Sequence, residues 1–332
     1  MTTRLARGRI AASRTGRRAW ARVRIGLSQE VGPHPATRRL VIKSIFGMAN
    51  RLRYLLTAKA FADRWGLQLC PDWREGWYGP PGENSFFELF ELDGAEEPPT
   101  DWGAVYPPSW AGRTELTTYQ WMEDVKREKG ERAMQRDLMF PFYRALVERP
   151  AAETMINSGW LVVPEDLPVA GVNYVPRRVN EALRPSARCR EAIAAELPPL
   201  AGCVGVHVRR TDSPNQLPLE AYFRLVGNDD RPIFLCTDSA DVEREFRTKY
   251  GDRLLSIERH YHADGGALHH GGFNSAGGDE SAPDRRRLAV EAVRDLYGLG
   301  GCGRIVHGGN SSYSQFAVDV LAAPDADVRL AT

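Results

Sequence analysis

The sequence predicts an α/β protein made of two doubly wound halves. Three observations carry that reading. Short apolar runs alternate with helix-patterned segments through the second half, which argues a parallel sheet. Residues 40–71 repeat the same theme as strand, glycine turn, helix, strand, a βαβ unit. At 332 residues the chain is also too long for one ordinary core, so two domains are expected. A hydrophobic content of 42% with 26% charged residues is ordinary for a soluble globular enzyme.

Taken in order, Leu40–Phe46 reads as a strand, Gly47 as a tight turn, and Asn50 as the cap of a helix. The apolar residues Leu52, Leu55, Leu56, Phe61 and Trp65 recur near helical spacing in that helix,. Gly66 ends it and Leu67–Pro71 resumes as a strand. Residues 71–113 are rich in Pro, Gly, Trp and acid and read as surface loops. A polar helical region is expected over Glu115–Arg149, with strands at Trp160–Val163 and Gly171–Val175. Residues 177–199 read as helix broken at Pro185, where the domain hinge is placed. Beyond it, strands are expected at Val204–Val208, Ile233–Cys236, Leu254–Ile257 and Arg304–His307. Helices are expected at Leu219–Leu225, Ala240–Tyr250, Asp284–Tyr297 and Ser312–Leu321. Residues 260–282 have no periodicity and read as a long loop. The expected division is an Arg-rich extension over 1–37, one domain over 38–185 and a second over 186–332.

The net charge of +1 hides an asymmetry. Eight arginines and no acid lie in residues 1–26, which leaves the other 36 basic side chains against 43 acidic ones. The head has no apolar run of signal or membrane length, and reads as a disordered extension, a transit peptide or a nucleic-acid arm. The acidic body offers no basic face, so no nucleic-acid partner and no membrane span are expected. The five cysteines Cys70, Cys189, Cys203, Cys236 and Cys302 are scattered, odd in number and never in a C-x-x-C pair. They suggest neither disulfides nor a zinc knuckle, and a cytoplasmic protein is expected.

The chemistry concentrates at predicted strand ends, where open α/β sheets bind their ligands. The strand Val204–Val208 runs into Arg209, Arg210, Thr211 and Asp212. Two guanidiniums there suit an anion with planar oxygens, phosphate first. Strand alternation turns His207 and one arginine toward a ligand, while the other arginine, taken as Arg210, can instead pair with Asp212 or another acid. Gly308, Gly309, Asn310, Ser311 and Ser312 lie between a strand and a helix, a pattern that cradles phosphate or simply caps the helix. Asp238 follows another strand and has the same two readings. Gly47, Asn50 and Arg51 open the first helix, with a ligand or a plain cap as alternatives. Asp295 could accept the paired N–H donors of a guanine or be a solvated helix acid. Trp73, Trp77 and Tyr78 offer flat faces to a sugar or act as packing plugs.

These strings resemble a family. Gly205-Val206-His207-Val208-Arg209-Arg210-Thr211-Asp212 is similar to the His-x-Arg-Arg-x-Asp motif of GDP-fucose-dependent fucosyltransferases, notably the α-1,6 and nodulation-factor types. Thr237-Asp238 resembles their second motif, with Ser239 in place of a further aspartate, and Ser311-Ser312 through Ala317 resembles their third. The stretch around Asp295 resembles the segment whose aspartate contacts guanine, aided by the motif histidine, here His207. Gly47-Met48-Ala49-Asn50-Arg51 resembles a Gly-x-x-Asn-Arg turn, and Asp72-Trp73-Arg74 the nodulation enzyme. The resemblance, over residues 40–322, implies a GT-B type architecture of two Rossmann-like domains facing a cleft. It implies Arg209 on the β-phosphate of the donor, with Arg210, His207, Asp238, Asp295, Ser311, Ser312, Gly47, Asn50 and Arg51 around the nucleotide sugar.

The expected function is an inverting, metal-independent glycosyltransferase with no cofactor. It would move L-fucose or a related sugar from a GDP-sugar donor to a carbohydrate or other hydroxyl acceptor. A different nucleotide sugar, or a non-catalytic nucleotide-binding homologue, are the alternatives. The family's proposed base is not carried over: Ser213 stands where a lysine is usual, and Glu220 follows too short a spacer. His260, His262, His269 and His270 lack metal-ligand spacing.

Overall fold

A computed structural model of the chain describes residues 32–43, 45–139, 148–158, 182–210, 216–261, 284–309 and 311–331. The expected strands at 160–163 and 171–175, the arginine head and residues Thr211, Asp212, Ser213, His262, His269, His270 and Asn310 lie outside the described residues. The protein is α/β with two four-stranded, wholly parallel sheets. Packing divides it into two compact units. The first holds residues 1–45, 54–72 and 94–174; the second holds 46–53, 73–93 and 175–332.

In the first unit, β1 (Arg39–Ile42) lies between β2 (Gln68–Pro71) and β5 (Thr154–Asn157), and β4 (Val105–Tyr106) pairs with β5. Leu40, Val41 and Ile42 are fully buried, as suits a strand covered on both faces. Helix α1 (Met48–Trp65) buries Leu52, Leu55, Leu56 and Phe61 completely, matching the helical spacing. It ends at Gly66, whose φ of 62° lets Leu67 N–H reach the Ala62 carbonyl at 2.9 Å, a left-handed glycine stop. Helices α3 (Thr118–Lys129) and α4 (Glu131–Met139) form the expected polar helical region.

Residues 71–113 are not the surface loops their composition suggests. They contain α2 (Ser85–Leu89), β3 (Phe90–Leu92) and β4. Trp73, Phe86, Phe90 and Trp110 are almost wholly buried. Aromatic side chains bury more area than aliphatic ones, so a few of them build a core inside a Pro- and Gly-rich stretch. In the second unit β3 pairs antiparallel with β6 (Leu183–Pro185), where helix was expected. Pro185 lacks an N–H and ends that strand; α5 (Ala187–Glu196) starts behind the cap Ser186,.

The second sheet has the order β10-β9-β7-β8. Its strands are β7 (Val204–Val208), β8 (Ile233–Thr237), β9 (Arg304–His307) and β10 (Asp327–Leu330). One face of β7, Val204, Val206 and Val208, packs with Leu219, Tyr222 and Phe246 of α6 (Leu219–Val226) and α7 (Ala240–Tyr250). The other face meets α8 (Arg285–Gly300) across two glycines. A Cβ at Gly205 would lie 2.9 Å from Cys302 Sγ and Leu299 Cδ1, and one at Gly298 would lie 2.6 Å from Phe234. Gly205 is therefore fixed by the close approach of helix to sheet. The expected strand at Leu254–Ile257 reduces to one bridge between Leu254 and Ile233. The chain beyond it is held by side chains instead, with Arg259 bonded to Asp295 and His260 to Glu291 on α8. After β9 comes α9 (Ser312–Phe316), which continues as a π-helical turn over Ala317–Leu321. No described helix is long and apolar enough to cross a membrane.

Candidate nucleotide-sugar site

All ten residues singled out from the sequence fall in the second compact unit. Gly47, Asn50 and Arg51 do so because residues 46–53 pack there.

The centre of the site is the carboxyl end of β7. In a parallel sheet, register partners point to the same face, so His207 shares its face with Cys236 and His307,. His207 is 8% exposed and stacks on Tyr313, with ring centroids 5.3 Å apart and planes at 25°. Burial pushes its pKa down to about 4, with Arg209 and His307 adding to the effect against Asp238. The ring is therefore neutral near pH 7. Arg209 and Arg210 follow, both half-buried.

Asp238 secures this strand end. Its Oδ1 accepts the backbone N–H of Arg210 at 2.8 Å. The helix cap expected of Asp238 belongs to Ser239, whose hydroxyl accepts from Val242 N–H. Aspartate thus holds the neighbouring strand end while serine caps α7. Arg210 does not find its partner in a described acid. Its Nη1 donates to Gln216 Oε1 at 3.4 Å, and Gln216 Nε2 donates to the Arg210 carbonyl.

On the next strand, Gly309 turns the chain with φ 68°. A Cβ there would meet only the movable tip of the half-exposed Leu330, so it is the positive φ that favours glycine. Ser311 spends its hydroxyl as the cap of α9, accepting from Tyr313 N–H at 3.3 Å, and is buried; Ser312 is half-exposed. Gln315 Nε2 donates to the Gly309 carbonyl at 2.6 Å. Arg53 in turn donates to Gln315 Oε1 at 2.9 Å and to Asp319 at 2.7 Å. Arg53 and Gln315, which sequence reasoning missed, brace the glycine turn.

The Gly47 turn differs from expectation. Gly47 O receives the first helical bonds, from Asn50 and Arg51 N–H, so Gly47 is the cap and Asn50 is the third residue of α1. Phe46 sits at φ 76°, a costly conformation for an aromatic residue. Arg51 holds it there through a 2.7 Å bond from Nε to the Phe46 carbonyl. The Arg51 side chain is fully buried, paired with Glu75, and ringed by Trp73, Trp77 and Tyr78 at 4.9–5.4 Å. Arg51 thus shapes the turn, and the aromatics, read either as a sugar face or as packing plugs, are packed around its cation,.

Asp295 is not the solvated helix acid of one reading. It is a buried hub on α8, bonded by Arg259 Nε at 2.7 Å through Oδ2 and by Arg294 Nε at 2.9 Å through Oδ1. Arg294 also pairs with Glu196. A purine edge would have to share both carboxylate oxygens with guanidiniums. Arg259 carried no sequence signal, because it reaches Asp295 from 36 residues away only after folding, and Arg294, although next to Asp295 in sequence, meets Glu196 only then. Glu220 is exposed on the first turn of α6.

No protein-family model matches the chain, and no curated protein matches it in sequence. Solved structures do match it in fold. The NodZ α-1,6-fucosyltransferase co-crystallised with GDP superposes with a TM-score of 0.55 at 18% identity, covering 86% of this chain and 93% of that one. Fucosyltransferase NodZ from Bradyrhizobium gives 0.54 at 19% identity, covering 86% and 94%. The NodZ enzyme soaked with GDP-fucose gives 0.52 at 17%, covering 86% and 93%. Two parallel α/β units and a match along most of both chains identify this fold as the GT-B type fold of the fucosyltransferases.

Proposed function

We propose that the protein is a glycosyltransferase that takes a sugar, L-fucose or a relative, from a GDP-sugar and passes it to a hydroxyl acceptor with inversion. One observation carries the reading. The His207-Val208-Arg209-Arg210 string lies at the carboxyl end of an inner strand of the second sheet, with its backbone pinned by Asp238, in a fold shared with NodZ structures co-crystallised with GDP and soaked with GDP-fucose.

Cleavage of the donor's glycosidic bond puts negative charge on the departing diphosphate. A fixed guanidinium is most effective where charge develops, and Arg209 is the residue assigned to that task. Arg210 with Gly308, Gly309, Ser311 and Ser312 completes the anion-binding surface. In this proposal those donors neutralise the leaving group without a metal ion. Departure of the diphosphate runs ahead of attack by the acceptor, so deprotonation of that hydroxyl comes late and no described carboxylate is assigned as base.

The test combines binding and turnover. GDP should raise the melting temperature more than UDP or ADP, by an amount that grows with concentration, and GDP-fucose should be consumed in the presence of acceptor glycans. Arg209→Lys should lower turnover about 100-fold or more with an unchanged melting temperature, since lysine cannot reproduce bidentate phosphate geometry. Binding of GDP with no turnover of any GDP-sugar would favour a non-catalytic nucleotide-binding protein.

A further inference from the structure

His307 is the residue of this site that no motif pointed to. It ends β9 directly beside His207, its register partner on β7, and its side chain lies on the same face of the sheet. The residue is 7% exposed. Its two ring nitrogens have different fates. Nδ1 accepts the backbone N–H of Gly309 at 3.2 Å, which places the ring proton on Nε2. Among the described residues nothing accepts from that Nε2. That donor is not one of the fully buried, unpartnered polar atoms of the described residues; it opens at the sheet's carboxyl edge, next to the glycine turn and one strand from the arginine pair.

We propose that His307 is a direct ligand of the nucleoside diphosphate, donating its Nε2–H to a phosphate oxygen. The inference rests on the proposed function only for the class of ligand; the residue and its donor atom come from the geometry. Gly309 acts as the orienting partner. Its N–H fixes both the tautomer and the ring plane, so the turn that lets the chain approach the ligand also aims the histidine. Burial holds the imidazole below the ordinary histidine range, against a smaller opposing pull from Asp319. The ring is thus a neutral donor at neutral pH, able to bind a phosphate oxygen without adding a cation beside the arginines.

Two substitutions separate this role from a purely structural one. His307→Asn keeps an acceptor where Nδ1 stood and loses the donor at Nε2. His307→Gln keeps a donor near Nε2 and loses the acceptor for Gly309. Calorimetric titrations with GDP, UDP, ADP and guanosine should be run on the wild type and both variants, alongside thermal melts. His307→Asn is expected to weaken the nucleoside diphosphate about tenfold or more, to leave guanosine binding within twofold, and to melt with the wild type. His307→Gln is expected to lower the melting temperature and to lose less diphosphate affinity. His307→Asn binding the diphosphate within twofold of wild type would overturn the proposal, as would an equal loss for guanosine. A wild type that prefers UDP or ADP, with the same tenfold loss in His307→Asn, would sink the guanine reading and leave His307 in place. A wild type that binds none of the three diphosphates would overturn both.

Discussion

Replacing Asp295 by asparagine is the most searching single perturbation of this protein. The Asp295 carboxylate serves two guanidiniums whose side chains are 5% and 1% exposed, those of Arg259 and Arg294. Arg294 retains Glu196, a half-exposed partner. Among the described residues Arg259 retains no other acid at ion-pair distance, only the longer-range pull of Glu243, and already has an Nη2 without a hydrogen-bond partner. Asparagine fills the same volume but removes the only full negative charge between them. Removing one partner of a buried ion pair costs about 3–5 kcal/mol, because the other charge is left desolvated. For a domain of roughly 150–250 residues this corresponds to a fall of about 6–20 °C in Tm. Urea and thermal denaturation without ligand are the assay. The double substitution Asp295→Asn with Arg259→Gln removes the stranded cation and should recover more than about 1 kcal/mol of the loss. A single Asp295→Asn variant within about 1 kcal/mol of wild type would refute the reasoning, since the cluster would then be dispensable. The result also decides how base selectivity is measured: any change in GDP preference on substituting Asp295 must be read well below the variant's own melting point.

Three further outcomes are expected. His207 has its pKa lowered to about 4 by burial, so the unfolded chain takes up that proton first and stability falls as pH drops from about 6.5 toward 4, by up to about 3 kcal/mol; His207→Gln should flatten this acid limb, and identical limbs in urea titrations would contradict the burial argument. Gly205→Ala puts a methyl 2.9 Å from Cys302 and Leu299 and should cost about 1–3 kcal/mol, an unchanged melt being the contrary result. Arg51→Met removes the partner of Glu75, whose side chain is 9% exposed, and releases the Phe46 turn; a loss of about 3 kcal/mol or more is expected, whereas full stability with weakened GDP binding would return Arg51 to the ligand.

Much of the second unit was legible in the sequence because its signals are local. The run Val204–Val208, the helix Ala240–Tyr250 and the strand Arg304–His307 each announce themselves by period and by the turn residues beside them, and the structure places them where expected. The strand-end motif was equally visible, since a strand that runs from valines into two arginines is unusual whatever surrounds it. Other elements were harder. Strand β4 of the first unit has two residues, too short to show a period, and β10 of the second is exposed at three of its four positions, so no apolar run marks it. The buried aromatics of 71–113 sit among prolines and glycines that mask them.

What the sequence determined on its own was the alternation of strands and helices, the likeness of its motifs to the fucosyltransferases, and the position of His207, Arg209 and Arg210 at a strand end. Those properties follow from residue order and need no knowledge of partners. Tertiary structure alone decided what each polar side chain is occupied with. Asp238 holds Arg210 from the adjacent strand, Arg51 sits among three aromatic side chains, Asp295 binds two arginines, and His307 is oriented by Gly309 beside His207. The physical reason is that a buried charge or N–H is governed by whatever group lies within about 3 Å of it. Most of those neighbours come from segments tens of residues away, brought together only when the sheet forms.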